Sequence, residues 1–375
     1  MNIIIFEDLN ATNLEPFSIN HASFELKCGI YSNLNRITNI FGESPNYYLI
    51  VRDQIKDLVQ EKFPRYTVNP TLIPEGIYLN GAAIWNKEYI QKISSGYAFS
   101  SSGNLVAFNS NNKIDFKDFS DFIQKTSDVT SDIDIYYISY LWDCIKIIKE
   151  TLIHDVQDFS ANDESTQIEE GCILDDKDGP IILGSNVTIQ SGAIIKGPVF
   201  IDSGSTINIG ARLNKNIIIG PECKIGGEVT NAIFQGYSNK QHEGFLGHSY
   251  IGEWVNLGAN TNNSNLKNNY GKVKFQFSDK IVDTNEIFLG TMIGDFSRTG
   301  ISTMINTGSY IGLGANVFGG GFQNKHLKSF GWGNNAITDF DKFIETIKIM
   351  KSRRNKDLSE SEFLFLKEYY KSFNK

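Results

Sequence analysis

The sequence predicts an α/β N-terminal domain, then a parallel β-helix of six-residue repeats, then a helical tail. Three observations predict it. A six-residue period of aliphatic side chains runs through residues 183–317. Strand-like and helix-like segments are mixed before it, and apolar residues at helical spacing return after it.

The period is explicit. Leu183, Ile189, Ile195, Ile201, Ile207, Leu213, Ile219 and Ile225 are spaced by six. Two residues before each stands a mostly small or aliphatic one: Ile181, Val187, Ala193, Val199, Ser205, Ala211, Ile217 and Cys223. Three residues after the first seven come Asn186, Gly192, Pro198, Gly204, Gly210, Asn216 and Glu222. Most of these tolerate positive φ or fix a bend. A period of six fits neither a helix nor an alternating strand. It fits a short flat strand and a corner, and three such sides close a triangular coil with the aliphatics stacked on its axis. The pattern resumes at Ile281, Ile287, Ile293, Thr299, Ile305, Ile311 and Val317. Thr291, Ser297, Thr303, Ser309 and Ala315 stand two residues earlier, and Ile251 and Leu257 share this second phase.

Two interruptions mark departures from the coil. Ile225 and Ile251 are 26 residues apart, not a multiple of six, so residues 227–248 are expected to leave as a loop. Leu257 and Ile281 are 24 apart, which keeps the phase, but the polar run 260–275 breaks the pattern and reads as a second excursion. Loops on a rigid scaffold are where chemistry usually sits.

The flanks complete the organisation. Residues 1–120 read as the α/β domain, with strands at 3–6, 47–51 and 77–79 and a helix at 54–60. Residues 121–166 read as a helical connector that ends in a polar linker at 155–166, and residues 167–333 form the coil domain. In the tail, 334–375, Phe340, Phe343, Ile344, Ile347 and Met350 lie at helical spacing. Ser359-Glu360-Ser361-Glu362 resembles a capping box that opens a last helix with Phe363, Leu366 and Tyr370. This tail is expected to pack on a coil face, a neighbouring subunit, or both.

Composition excludes several classes. With 41% hydrophobic and 21% charged residues the chain is ordinary for a soluble globular protein. No apolar run approaches the ~18 residues of a membrane helix. Residues 1–8 lack a basic segment followed by an apolar one and read as a buried first strand, not a signal peptide. A net charge of −8 argues against nucleic acid as a partner. Cys28, Cys144, Cys172 and Cys223 are scattered, which predicts reduced thiols in a cytoplasmic protein and no metal-ligand set.

The first interruption reads Gly236-Tyr237-Ser238-Asn239-Lys240-Gln241-His242-Glu243-Gly244-Phe245-Leu246-Gly247-His248, followed by Val255-Asn256-Leu257-Gly258-Ala259-Asn260-Thr261. On these residues the chain resembles the acyltransferase half of the bifunctional N-acetylglucosamine-1-phosphate uridyltransferase/glucosamine-1-phosphate acetyltransferase family. Residues 236–248 and Asn265-Leu266-Lys267-Asn268-Asn269-Tyr270 resemble more closely a bacterial side branch of alternate or truncated members. The resemblance covers the coil well and the N-terminal part more weakly. It implies a left-handed coil, a shortened nucleotidyltransferase-like N-terminal domain, a homotrimer with its active site between neighbouring coils, and acetyl-CoA as acyl donor.

The chemistry has its own logic. Acylation of an amine by a thioester needs the amine neutral, and a neutral His, with an ordinary pKa of ~6.5, is suited to take its proton. His242 is the candidate base, with Glu243 or a backbone carbonyl to orient its ring. The thioester oxygen becomes negative and needs donors. The resemblance implies backbone amides at Gly258-Ala259 for that role. It further implies Lys240 for a sugar phosphate, Asn256 and Asn265 for acceptor hydroxyls or the acetamido group, and Thr291 and Ala315 along the pantetheine groove. Phe245, beside the acceptor, and Leu266 stand where the parent family has Tyr. His248, where the chain rejoins the coil, reads as structural.

The N-terminal domain departs from true nucleotidyltransferases. Their first strand leads into a glycine-rich triphosphate loop; here Phe6 to Pro16 contains no glycine. The side branch has Thr-Arg-Pro where this chain has Asn20-His21-Ala22, while residues 25–30 match it better. Asp8, Lys27, Arg52 and Asn80-Gly81 remain candidates for a sugar-nucleotide or metal site, with Mg²⁺ needed only if this domain is active; a domain kept for folding or assembly is the other reading. The leading function is N-acyl transfer to an amino-sugar phosphate or nucleotide-sugar in cell-envelope precursor synthesis. Nucleotidyl transfer comes second. A zinc hydratase, which would need three His ligands, and a non-catalytic assembly module stay open.

Overall fold

A computed structural model of the chain describes residues 1–93, 98–126, 131–159, 165–333 and 336–373. The run Ile3-Ile4-Ile5-Phe6 is fully buried, because the strand Asn2–Phe6 lies mid-sheet with both faces covered. It pairs in parallel with Asn46–Ile50 and with Gly76–Asn80. The seven strands run in the order Thr67–Val68, Asn46–Ile50, Asn2–Phe6, Gly76–Asn80, Asn104–Ser110, Ala98–Ser101, Ser131–Asp132. The last of these falls within 121–166, the segment expected to be a helical connector. The sheet therefore reaches past residue 120, and the connector proper is the helix pair Leu141–Lys146 and Ile148–Asp155. Residues 160–164 of the expected linker lie outside the described residues.

From Gln167 onward short parallel strands climb a β-helix. Ile181 pairs with Val199 and Val199 with Ile217; Thr188 pairs with Thr206 and Thr206 with Lys224. Each turn thus takes 18 residues on three sides. The six-spaced Ile189, Ile195, Ile201, Ile207, Leu213, Ile219 and Ile225 are buried and share one core. Asn186, Gly192, Gly204, Gly210, Asn216 and Glu222 take positive φ at the corners.

The two interruptions have different physical origins. At the first, Ile217 pairs with Ala232 and Ile225 with Lys240, steps of 15. The next turn steps by 17, with Glu228 opposite Phe245 and Ala232 opposite Ser249. Shortened corners, not an outgoing loop, create the 26-residue gap, and residues 227–248 stay on the coil. At the second, Asn262 and Asn263 still pair with Met304 and Ile305. The excursion begins after them and carries an antiparallel hairpin, Lys274–Gln276 with Ile281–Asp283. Tyr250 pairs with Met292, a step of 42, one turn plus 24 inserted residues. An insert of 24 preserves the phase, so spacing alone counted Ile281 and Ile287 as inward; they are 65% and 46% exposed.

One side of the coil is apolar outside as well as inside. Phe200, Ile218, Ile233 and Tyr250 face outward there and join a core with the connector helices and with Leu14, Phe17 and Leu26 of the first domain. Polar bonds fix the docking: Lys27 Nζ lies 2.7 Å from Asp202 Oδ2, and Gln235 Nε2 donates to the Glu25 carbonyl at 2.8 Å. The tail forms helices Phe340–Ser352 and Glu360–Phe373. Asp339 caps the first, its carboxylate accepting from Lys342 N at 3.0 Å. Ser359 Oγ accepts from Glu362 N at 3.2 Å at the second. Phe343, Ile344 and Ile347 bury against Phe296, Leu313 and Phe330 of the coil, and Phe365 packs on the first domain. No helix among the described residues is long and apolar enough to cross a membrane.

Candidate active site

His242 stands at a corner of the coil between Lys240 and Phe245 and is exposed. Its imidazole has no hydrogen-bond partner among the described residues. Glu243 does not orient it: that carboxylate pairs with Arg212 at 2.8 Å on the surface. The 17-residue register, Asn239 opposite Asn256 and Phe245 opposite Asn262, sets His242 directly across from Ala259 on the next turn. Asn260 N donates to the Glu243 carbonyl at 2.9 Å and clamps the two corners together. Gly244 permits the approach. It adopts φ +125°, and a Cβ there would come 2.1 Å from the Thr261 carbonyl oxygen.

The amides around Ala259 divide. Gly258 N is taken by Thr299 Oγ1 at 2.9 Å, and that hydroxyl also lies 2.7 Å from Thr261 Oγ1. This explains the polar exception among the six-spaced residues: Thr299 ties down a corner instead of filling the core. The Ala259 N–H has no partner among the described residues and is left free to donate.

Other sequence-named residues lie elsewhere. Lys240 takes the inward place of Ile225, and only 2% of it is exposed. Its ammonium donates to the carbonyls of Gly226 and His242, each at 3.0 Å. Burial pushes its pKa down to about 8. A lysine sealed in a corner is not placed to hold a sugar phosphate. Thr291 and Ala315 are also interior, at 0% and 1% exposure, so only their backbone borders any groove. Asn265 does not meet His242; its amide donates to His248 Nδ1 at 2.9 Å. That bond places the His248 proton on Nε2, and the ring stacks on Phe288 with centroids 5.2 Å apart. Burial pushes the His248 pKa down to about 4, so the ring is neutral. It borders a cavity of about 490 Å³ with Trp142, Lys146 and Glu286. Phe245 is half-buried beside Gly247 and Asn265, on this second corner's side.

Arg298 was missed. It lies opposite Asn256 in the strand register, its guanidinium has no partner among the described residues, and its Nε is buried. The signal was available: it precedes the inward Thr299, so it must point outward beside Asn256.

In the first domain the candidate side chains are already engaged. Asp8 Oδ2 accepts from Tyr137 OH at 2.6 Å and from Asn80 Nδ2 at 2.8 Å. Arg52 is held by Glu7 and by the carbonyls of Ser18 and His21. Lys27 is spent on Asp202.

Residues 3–164 match a family model described as sugar nucleotidyl transferase. An uncharacterized acetyltransferase, YaiX, of Escherichia coli O6:K15:H31 (strain 536 / UPEC) is 28% identical over 179 residues, 46% of this chain and 78% of that protein. A bifunctional sugar-1-phosphate nucleotidylyltransferase/acetyltransferase of Sulfurisphaera tokodaii is 34% identical over 151 residues, 40% of this chain and 38% of that protein. The bifunctional protein GlmU of Wigglesworthia glossinidia brevipalpis is 30% identical over 156 residues, and the match spans 30% of it. Among solved structures, UDP-N-acetylglucosamine acyltransferase from Campylobacter jejuni overlaps 55% of this chain and 94% of its own, at 16% identity and TM-score 0.26.

Proposed function

We propose that the chain is a GlmU-like hexapeptide-repeat acyltransferase and that it transfers an acetyl group from acetyl-CoA to the amine of an amino-sugar phosphate or nucleotide-sugar. One observation carries the reading: an unengaged imidazole, His242, lies across a corner from an unengaged amide, Ala259 N–H. Acyl transfer needs that pair. The imidazole takes the proton as the amine attacks, and the amide donates to the oxygen that turns negative. Arg298, with Asn256 beside it, supplies the positive group for the acceptor's phosphate, the role Lys240 is too buried to fill. The site we assign is half of a shared one. Ile209 and Ile301, 74% and 78% exposed, stand on the same corner ridge as His242, and exposed apolar side chains of this kind mark contact surfaces. A second coil of a homotrimer would cover them, and the setting would be cytoplasmic envelope-precursor synthesis.

Release of CoA thiol from acetyl-CoA tests the proposal, with glucosamine-1-phosphate first and then a panel of amino sugars and their nucleotide forms. Amine-dependent release supports it; no release with any acceptor sinks it. Light scattering tests the trimer, and a monomer would overturn it. A second reading, nucleotidyl transfer by the first domain with Mg²⁺, is favoured by the family match over residues 3–164. Pyrophosphate release from UTP or dTTP with a sugar phosphate tests that reading.

A further inference from the structure

The first domain meets the coil at a buried ionic cluster that acyl transfer does not use. His21, on the loop that follows the first strand, is 1% exposed. Its Nε2 lies 2.8 Å from Asp295 Oδ2, and its Nδ1 lies 3.3 Å from Glu25 Oε2. Asp295 and Glu253 come from the coil. Each stands two residues after an inward aliphatic, Ile293 and Ile251, and those two pair across adjacent turns. The fold thus stacks two carboxylates at one corner. Asp295 Oδ1 accepts from Glu253 N at 2.9 Å, but the Glu253 carboxylate accepts no hydrogen bond from a described residue. One ligand atom from each of His21, Glu253 and Asp295 falls within 4.8 Å of the others.

Charge shows what is missing. Lys62 Nζ pairs with Glu25 at 2.8 Å and lies 3.0 Å from His21 Nδ1. Asp295 and Glu253 then face a single imidazole. A proton on His21, shared with Asp295 at 2.8 Å, compensates one of them. A divalent ion compensates both. A second observation points the same way: Asn20 is 8% exposed, its Nδ2 donates to Asp295 Oδ2 at 2.9 Å, and its Oδ1 has no partner. Asn20, His21, Glu253 and Asp295 line one cavity of about 250 Å³.

We propose that His21 Nε2, Asp295, Glu253 and the Asn20 amide oxygen form a divalent transition-metal site that joins the first domain to the coil. Bonds of about 2.1 Å to a tetrahedral ion set ligand atoms about 3.4 Å apart. The three atoms now lie within 4.8 Å of one another, so Glu253 would swing inward by a rotamer adjustment while His21 Nε2 and Asp295 Oδ2, now 2.8 Å apart, open to admit the ion. One imidazole with carboxylate and amide oxygens suits Zn²⁺ or Mn²⁺. The outer shell is in place. Once the ion replaces the Nε2 proton, Nδ1–H would donate to Glu25 Oε2, 3.3 Å away, and Phe17 stacks on the ring with centroids 4.7 Å apart.

The test uses the full chain, stripped with a chelator and titrated calorimetrically with ZnCl₂ and MnCl₂. The site predicts one equivalent per chain and a rise in thermal midpoint with metal, since the ion binds only the folded state. Glu253→Gln and His21→Gln are expected to weaken binding by ~10-fold or more. Glu253→Gln removes no hydrogen bond, so it is expected to fold like the wild type and carries the test even if His21→Gln does not. Absence of stoichiometric binding, or wild-type affinity in Glu253→Gln, overturns the proposal.

Discussion

Lys240→Met converts the buried position of Lys240 into a measurement. Methionine keeps the length of the side chain and removes the ammonium from the corner. In the folded chain burial holds Lys240 near pKa 8, against an ordinary value of 10.5. Below pH 8 both folded and unfolded chains carry the proton, and the fold bears the whole cost of burying a charge. Between pH 8 and 10.5 the unfolded chain keeps the proton and the native one releases it, so stability rises with pH. Above 10.5 both are neutral and the penalty is gone. A separation of ~2.5 units at ~1.36 kcal/mol each makes the change about 3 kcal/mol. The wild type should therefore gain about 3 kcal/mol relative to Lys240→Met between pH 7.5 and 10.5. The two carbonyls that lose their donor add an offset of ~1 kcal/mol each, largely independent of pH. Urea unfolding followed by circular dichroism, at half-unit steps of pH, reads the difference between the two proteins, and other titrating groups cancel. Parallel stability profiles would refute the reasoning and return the Lys240 ammonium to water, within reach of an acceptor.

Other outcomes follow from the same geometry. His248 titrates near 4 in the fold against an ordinary 6.5, so stability present above pH 6.5 is lost as pH falls toward 4; His248→Gln should remove that loss, about 3 kcal/mol, from acid unfolding curves. Arg298→Met should lower kcat/KM for a phosphorylated acceptor by ~10–100-fold with an unchanged melting curve; an unchanged KM for the acceptor would take Arg298 out of the site. Gly244→Ala forces a Cβ against the Thr261 carbonyl and should cost ~2 kcal/mol or more, lowering both the melting temperature and turnover. Removal of residues 355–375 uncovers Phe330 and its apolar neighbours and should promote association visible by light scattering.

What the sequence revealed follows from which forces are local. The coil was legible because its core repeats at a fixed interval, so Ile189 to Ile225 announce their burial without any partner being known. Corner length was not legible. A turn shortened to 15 residues and a loop both break the period, and the 24-residue excursion hides by preserving it. This misplaced Ile281 and Ile287 and made residues 227–248 look like a loop. Lys240 shows the same limit at the site. It stands in an aliphatic's place because the shortened turn moved the register, and no motif reports that shift. His242 and Ala259 are brought together by a 17-residue step that the sequence contains but does not advertise. The cluster of His21, Glu253 and Asp295 is assembled by docking between distant segments, and no spacing rule reaches across such a contact.

The central claim rests on His242 with a free imidazole at a corner facing Ala259. The most direct measurement is the rate of CoA thiol release, with and without an amino-sugar phosphate, by the wild type and by His242→Ala. Release that requires the amine and falls by ~10²–10⁴ in the variant, with the melting curve unchanged, is the predicted result. Full activity in His242→Ala would contradict the account.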